Sequence, residues 1–351
     1  MKLKRRKKSS KQLAEEVKKV TTSPIEKSKK VEVKKVISTG STLLDLAISG
    51  NRIRGGGVPG GIIIEVFGPP GSGKTAILAE LCASAQFKKG DVKFLDPEGR
   101  LDQEYCRIYG MNIPKENYKR PDTVTEMFDL IKKWKPKADK SINVIAADSL
   151  AALSTELELG EKGDKMGMRR GKEFSEGLRK TCRLIANNNW LIACSNQLRE
   201  SQYGEVTPGG KGIPFYSSLR IRIQEIDKVR ISKKIVEKGE ERKEVKVGKV
   251  IGIESHCVIK KSTVDDPFRE APIYIVFRIG IDDIRGNLQW YKDMTGDTTY
   301  DCIDKGYSRM NDGIRYIESN ELQDELRERV IDLWEEIENK FLMNRSPKKR
   351  W

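Results

Sequence analysis

The residues most able to do chemistry lie in one stretch, Ile62 to Thr75, which reads Ile-Ile-Ile-Glu-Val-Phe-Gly-Pro-Pro-Gly-Ser-Gly-Lys-Thr. Gly68 is followed by Pro69, Pro70, Gly71 and Ser72, and then by Gly73, Lys74 and Thr75. That is the spacing of a phosphate-binding loop. Glycines let backbone N–H groups turn toward phosphate oxygens with no Cβ in the way. A helix starting at the end of the loop adds the positive end of its dipole. Lys74 is expected to reach the β- and γ-phosphates of a bound nucleotide, and the Thr75 hydroxyl to ligate Mg²⁺. Asp148 closes a second apolar run, Asn143 to Ser149, roughly 75 residues further on. It is the expected second magnesium-site carboxylate.

Such side chains must be held by a strand before the loop and a helix after it. Ile62, Ile63, Ile64, Val66 and Phe67 read as a buried strand, and residues 76–87 as a helix with Ile77, Leu78 and Leu81 on one side. Val92 to Leu95 predicts another strand, ending in Asp96-Pro97-Glu98, where acidic residues would face a nucleotide crevice. Residues 123–134 predict a helix, and Trp190 to Ser195 a strand that ends in Asn196-Gln197-Leu198-Arg199. Two glycine-rich stretches, 156–171 and 199–213, have the composition of mobile loops, the first running into a basic amphipathic helix over 172–187. Alternating basic segments at 228–236 and 243–251 read as a hairpin, and 271–281 as a last strand. Residues 282–351 read as a small helical appendage with an amphipathic stretch over 320–339 and a basic end.

The 351 residues carry 67 Lys and Arg against 52 Asp and Glu, a formal charge of +15. That excess points to a polyanionic partner, nucleic acid first. Residues 1–35 hold fourteen of the cations against four Glu, with one short amphipathic stretch at Leu13, Val17 and Val20 that suits a subunit-docking helix. No apolar run is long enough for a transmembrane helix or a signal peptide, so a cytoplasmic, membrane-free protein is expected. Six scattered cysteines and one histidine, His256, argue against zinc. His256 is read as structural.

Taken together, the chain resembles the bacterial RecA recombinases, phage-encoded relatives included. The matching stretches are Ser38-Thr39-Gly40-Ser41, Gly68 to Thr75, Asp96 to Asp102, Asp148 to Leu153, Asn196 to Arg199, and Gly209-Gly210 before Phe215-Tyr216. The resemblance implies an α/β fold: a RecA-like nucleotide-binding core with a mostly parallel central sheet over 38–281, a basic segment over 1–37, and a small α-rich C-terminal domain over 282–351. It implies ATP and Mg²⁺ as cofactors. The implied partners are single-stranded DNA, homologous double-stranded DNA, and further copies of the chain in a helical filament.

By resemblance, Glu98 falls at the glutamate that activates the attacking water, and Asp102 and Tyr105 at the adenine contacts. Gln197 falls at a glutamine that senses the γ-phosphate. Residues 156–170 and 198–213 fall at two DNA-binding loops, with Met166, Gly167, Arg169 and Arg170 in the first and Arg199, Gly209, Gly210 and Lys211 in the second. Phe277 falls where an aromatic residue packs on the neighbouring subunit's adenine. The family's two lysines that cross to the next subunit's γ-phosphate correspond to Lys260-Lys261, here adjacent instead of separated. Pro214 stands where a basic residue is usual, and the acidic C-terminal tail is replaced by a basic one. Two other readings of the same core stay open: a nucleotide-switched regulatory DNA-binding protein, and a ring helicase.

Overall fold

The computed structural model describes residues 35–345 except 139, 157, 159–165, 202–203, 237–243 and 344. The basic N-terminal stretch to residue 34, with its expected docking helix, and the basic end over 346–351 lie outside the described residues.

In chain order, β1 (Val36–Ile37) leads to α1 (Thr42–Ser49), β2 (Val58–Pro59), β3 (Ile62–Gly68) and α2 (Lys74–Phe87). Then come β4 (Val92–Leu95), α3 (Gln103–Ile108), β5 (Tyr118–Lys119), α4 (Val124–Lys133) and β6 (Asn143–Ala147). After a 3₁₀ turn at Leu150–Ala152 follow α5 (Met166–Asn187), β7 (Trp190–Gln197), β8 (Arg199–Ser201), β9 (Gly204–Val206) and α6 (Gly212–Tyr216). Two long strands, β10 (Leu219–Val236) and β11 (Glu244–Ser262), precede β12 (Glu270–Val276) and β13 (Gly280–Ile281). The chain closes with α7 (Asp283–Thr295), β14 (Tyr300–Asp301), β15 (Gly306–Tyr307), α8 (Met310–Ser319) and α9 (Gln323–Lys340).

One nine-stranded sheet organises these elements, in the order β13-β12-β11-β10-β3-β7-β6-β4-β5. From β10 to β5 neighbouring strands are parallel, and β11, β12 and β13 add antiparallel pairings at one edge. Parallel strands must be covered on both faces, which explains their near-continuous apolar runs. On one face Ile64, Val66, Val144, Ala146 and Ala193 pack against α1 and α2. On the other, Ile63, Ile145 and Ile192 meet Phe128 of α4 and Phe174 of α5. Burial pushes the thiols of Cys82, Cys194 and Cys257 up from their ordinary value, as expected of inert core cysteines.

The described residues between 35 and 345 form one compact unit. The C-terminal helices keep a small core of their own, Leu288, Cys302, Ile317 and Leu326. α9 returns Val330, Ile331 and Trp334 to the main core. Arg54 meets three carboxylates of α9, Glu328, Asp332 and Glu335, at 2.7–2.9 Å.

Two sequence expectations are corrected by these elements. α5 begins at Met166, six residues before the expected helix at 172, so residues 166–171 are its first turns and not loop. The stretch 199–213 holds a short hairpin, β8 with β9, in place of structureless chain. No helix among the described residues is long and apolar enough to cross a membrane.

Candidate active site

The loop between β3 and α2 turns where glycine is required. Gly71 (φ 74°) and Gly73 (φ 100°) take left-handed conformations that L side chains rarely adopt. At Gly68 a Cβ would come within 1.9 Å of the Ile223 carbonyl oxygen, so β10 packs directly on the loop's first residue. The loop is also pinned from β11, where Ser255 Oγ donates to the Ser72 carbonyl at 2.9 Å. Lys74 Nζ curls back to donate to the carbonyls of Gly68 (3.0 Å) and Pro69 (2.6 Å). Burial pushes the Lys74 ammonium below its ordinary value, opposed by the charges of Asp148 and Glu98.

Thr75 Oγ1 donates to Asp148 Oδ2 at 2.6 Å, which brings together the two expected magnesium ligands. Ser195 Oγ donates to the other Asp148 oxygen. Burial raises the Asp148 carboxyl above its ordinary value; the Ser195 and Thr75 hydroxyls oppose the rise, and Glu98 and Asp96 add to it. A hydroxyl and a carboxylate at the foot of a phosphate loop are hard oxygen donors. They suit Mg²⁺, which takes one or two protein oxygens and completes its shell with phosphate and water.

Glu98 sits just past β4, 16% exposed. Its Oε1 accepts from Ser149 Oγ at 2.7 Å, and its Oε2 pairs with the exposed Arg100 at 2.9 Å. The turn that carries it is held by Asp96, whose Oδ2 accepts from the Leu101 N–H (2.9 Å) and the Tyr118 hydroxyl (2.7 Å). Asp102 caps α3 by accepting from the Tyr105 N–H, and Tyr105 packs on Tyr109 with ring centroids 4.9 Å apart. A cleft of about 410 Å³ runs from Gly71, Gly73, Lys74 and Thr75 to Tyr105 and Phe277.

Phe277 therefore lines its own chain's cleft, 56% exposed. The resemblance placed it against a neighbouring subunit's adenine; in this chain it follows β12, which pairs with β11 beside the phosphate loop. The Lys260–Lys261 pair divides. Lys261 Nζ donates to the carbonyls of Pro214 and Phe215, both at 2.8 Å, and so caps α6 within its own chain. Lys260 is exposed.

Gln197 ends β7 directly beside Gly68 in the parallel register. The next contacts lead into the 198–213 loop. Asn196 Nδ2 donates to Glu65 Oε1 and to the Pro208 carbonyl, both at 2.9 Å. Glu65, fully buried, also pairs with Arg220 at 2.6 Å. Arg222 forks onto Glu205 of β9 at 2.7 and 2.9 Å. Glu65, Asn196 and Arg220 were not singled out as a set from the sequence; a carboxylate inside an apolar β-branched run was the available signal.

The expected DNA residues are not all free. Arg170 Nη1 donates to the carbonyls of Ala151 (3.4 Å) and Leu153 (3.2 Å), and burial pushes its guanidinium below the ordinary value. It closes α5 onto the turn after Asp148. Arg169 is exposed, 4.0 Å from Glu173. The backbone of Met166 and Gly167 is helical, and the Met166 side chain is outside what the structure describes. Gly209 is buried against Phe174 and Ile213, whereas Arg199, Gly210 and Lys211 are exposed.

With this geometry, the relatives are informative. The family profile RecA N-terminal domain matches residues 5–282. The chain belongs to the RecA family. Protein RecA of Phytoplasma mali is 36% identical over 254 residues, 71% of this chain and 69% of that protein. Protein RecA of Thermus thermophilus is 32% identical over 255 residues, with the same shares of 71% and 69%. For Protein RecA of Ruminococcus albus the identity is 33% over 251 residues, 70% of this chain but 58% of that protein. RecA membership favours the recombinase reading of the sequence over the regulatory and helicase ones. The matched region ends at residue 282, one residue before α7 begins, so α7 to α9 fall beyond it.

Proposed function

We propose that the chain is a DNA-dependent ATPase that polymerises on single-stranded DNA and promotes homologous pairing and strand exchange. Its ATPase core would be 38–281, with 282–351 as a C-terminal appendage. The observation that carries this is the convergence of Lys74, Glu98 and Asp148 past the C-terminal ends of three parallel strands of one sheet, β3, β4 and β6, in a chain of the RecA family.

ATP would lie with its phosphates on the loop N–H groups and its base toward Tyr105 and Phe277. Lys74 would leave the Gly68 and Pro69 carbonyls for the β- and γ-phosphates, where its charge is better compensated. Thr75 and Asp148 would hold Mg²⁺, which supplies charge neutralisation at the phosphates. Glu98, oriented by Ser149, would accept a proton from the water that attacks the γ-phosphorus, and ADP would leave with the bonding electron pair. Positioning and charge stabilisation supply most of such a rate enhancement.

Gln197 would donate to the γ-phosphate. Loss of that contact after hydrolysis would act on the 198–213 loop through Asn196, which touches both β3 and the loop. Lys260 is the better candidate to reach an adjacent subunit's phosphate, because Lys261 is engaged within its own chain. Arg169, Arg199, Gly210 and Lys211 are the exposed groups suited to a sugar-phosphate backbone read without base specificity.

The test is Lys74→Ala. ATP turnover should fall to background while the thermal melt without nucleotide stays close to that of the parent. Normal turnover in this variant contradicts the site.

A further inference from the structure

The cleft beside the phosphate loop has two charged side chains in its lining, Lys74 and Arg278. Lys74 belongs to the phosphate loop. Arg278 is exposed and makes no ion pair among the described residues, whereas the exposed Arg100 is paired with Glu98 at 2.9 Å. A guanidinium that faces a cleft without a carboxylate is free to meet a ligand.

The backbone at Arg278 is unusual as well. It is the third residue of the turn Val276 to Ile279, closed by the Ile279 N–H donating to the Val276 carbonyl at 3.1 Å. Its φ is 67°. At that place in a turn, positive φ favours glycine and costs an L side chain conformational energy. Glycine is used two residues further on, at Gly280 (φ 99°), but not here. Strain of this kind gathers where a side chain has a task at a ligand.

The position of the turn says which end of a nucleotide Arg278 would meet. Upstream, β12 rests on the phosphate loop: a Cβ at Gly73 would come within 2.1 Å of Ile275 Cδ1. Downstream, a Cβ at Gly280 would come within 3.1 Å of the Tyr109 ring, which packs on Tyr105 with centroids 4.9 Å apart. The turn therefore spans from the loop to the tyrosine wall. Around it Ile108, Ile253, Val276 and Phe277 make the cleft apolar. A planar, weakly hydrated guanidinium suits such a place, because it stacks on aromatic faces.

We propose that Arg278 is a nucleotide-binding residue that packs its guanidinium against the base, while Lys74 serves the phosphates. This rests on the reading of the cleft as a nucleotide site. A ligand with phosphates alone should then be indifferent to Arg278.

The test compares Arg278→Gly with the parent, both as full chains, for binding magnesium ATP and magnesium tripolyphosphate, which has no base or ribose. Calorimetry at one moderate salt concentration reads both. Kd for ATP should rise about three- to tenfold. Kd for tripolyphosphate should not move. The thermal melt without nucleotide should hold or rise, since glycine takes a φ of 67° at less cost. Arg278→Gln keeps the Cβ and the strained turn but not the cation, and should weaken ATP to the same degree. Equal weakening of both ligands would make Arg278 a phosphate contact and overturn the proposal. So would a lower melting temperature in Arg278→Gly, which would make the residue structural, or parent-like ATP binding in Arg278→Gln. If the parent binds neither ligand, the nucleotide reading fails and this inference falls with it. If the parent binds both and the two variants match it, this inference alone fails.

Discussion

At the scale of single residues, the site depends on carboxylates whose environments differ. Glu98 accepts a hydrogen bond at one oxygen and an ion pair at the other, so it is oriented yet still reachable. Glu98→Gln keeps the size and the Ser149 contact but cannot take a proton. Nucleotide affinity should survive while phosphate release slows on the order of 10²-fold or more. Equal loss of affinity, read by nucleotide titration, would make the carboxylate structural. Glu80, on α2, is a different case. Burial raises its carboxyl from 4.5 to about 7, the nearby Asp283 and Asp45 add to the rise, and a backbone hydrogen bond from Ile281 opposes it. The folded chain then binds more protons than the unfolded chain between these values. This contribution to stability is full below pH 4.5 and is lost as pH rises through about 7. Relative to Glu80→Gln, the parent should lose on the order of 2 kcal/mol over that window, after allowance for partial exposure. Urea unfolding at several pH values measures it, and parallel profiles for the two proteins would contradict it.

At the scale of elements, β3, β7 and β10 are joined by one buried polar knot. Glu65 is held by Arg220 and Asn196, and Asn196 also holds Pro208 of the following loop. A buried carboxylate left without its cation is costly, so Arg220→Leu should destabilise by about 3–5 kcal/mol. Glu65→Leu with Arg220→Leu should recover much of that loss in chemical denaturation. A single-variant loss below about 1 kcal/mol would show the pair to be solvated. This knot was hard to read because Glu65 lies in an otherwise apolar strand and its partners are distant in sequence. The phosphate loop was readable because strand, glycines and helix are contiguous, and each imposes its own local pattern. The start of α5 was not. Gly167 and Gly171 read as loop, whereas Gly171 lies against Gly210, and at Gly177 a Cβ would meet the Phe128 ring at 2.1 Å. Close packing, which has no local signature, accounts for Gly177. Phe277 was legible as an aromatic site residue, but its place in the lining of the phosphate-loop cleft depends on how β11 and β12 fold back.

At the scale of the whole molecule, the phosphate-loop cleft and the exposed Arg199, Gly210 and Lys211 share the C-terminal edge of one sheet. Gln197 and Asn196 lie between them, so a change at the γ-phosphate has a short physical route to the 198–213 loop. At the other end, α9 is fastened to the core by Trp334 and by Arg54, whose three carboxylate contacts are largely exposed and individually worth little. The central claim is that DNA binding and ATP turnover are coupled through that shared edge. The most direct measurement is the rate of ATP hydrolysis by the full chain with and without single-stranded DNA, at low and moderate salt. Strong stimulation that fades as salt rises is the predicted result. Turnover indifferent to DNA at every salt concentration would contradict it.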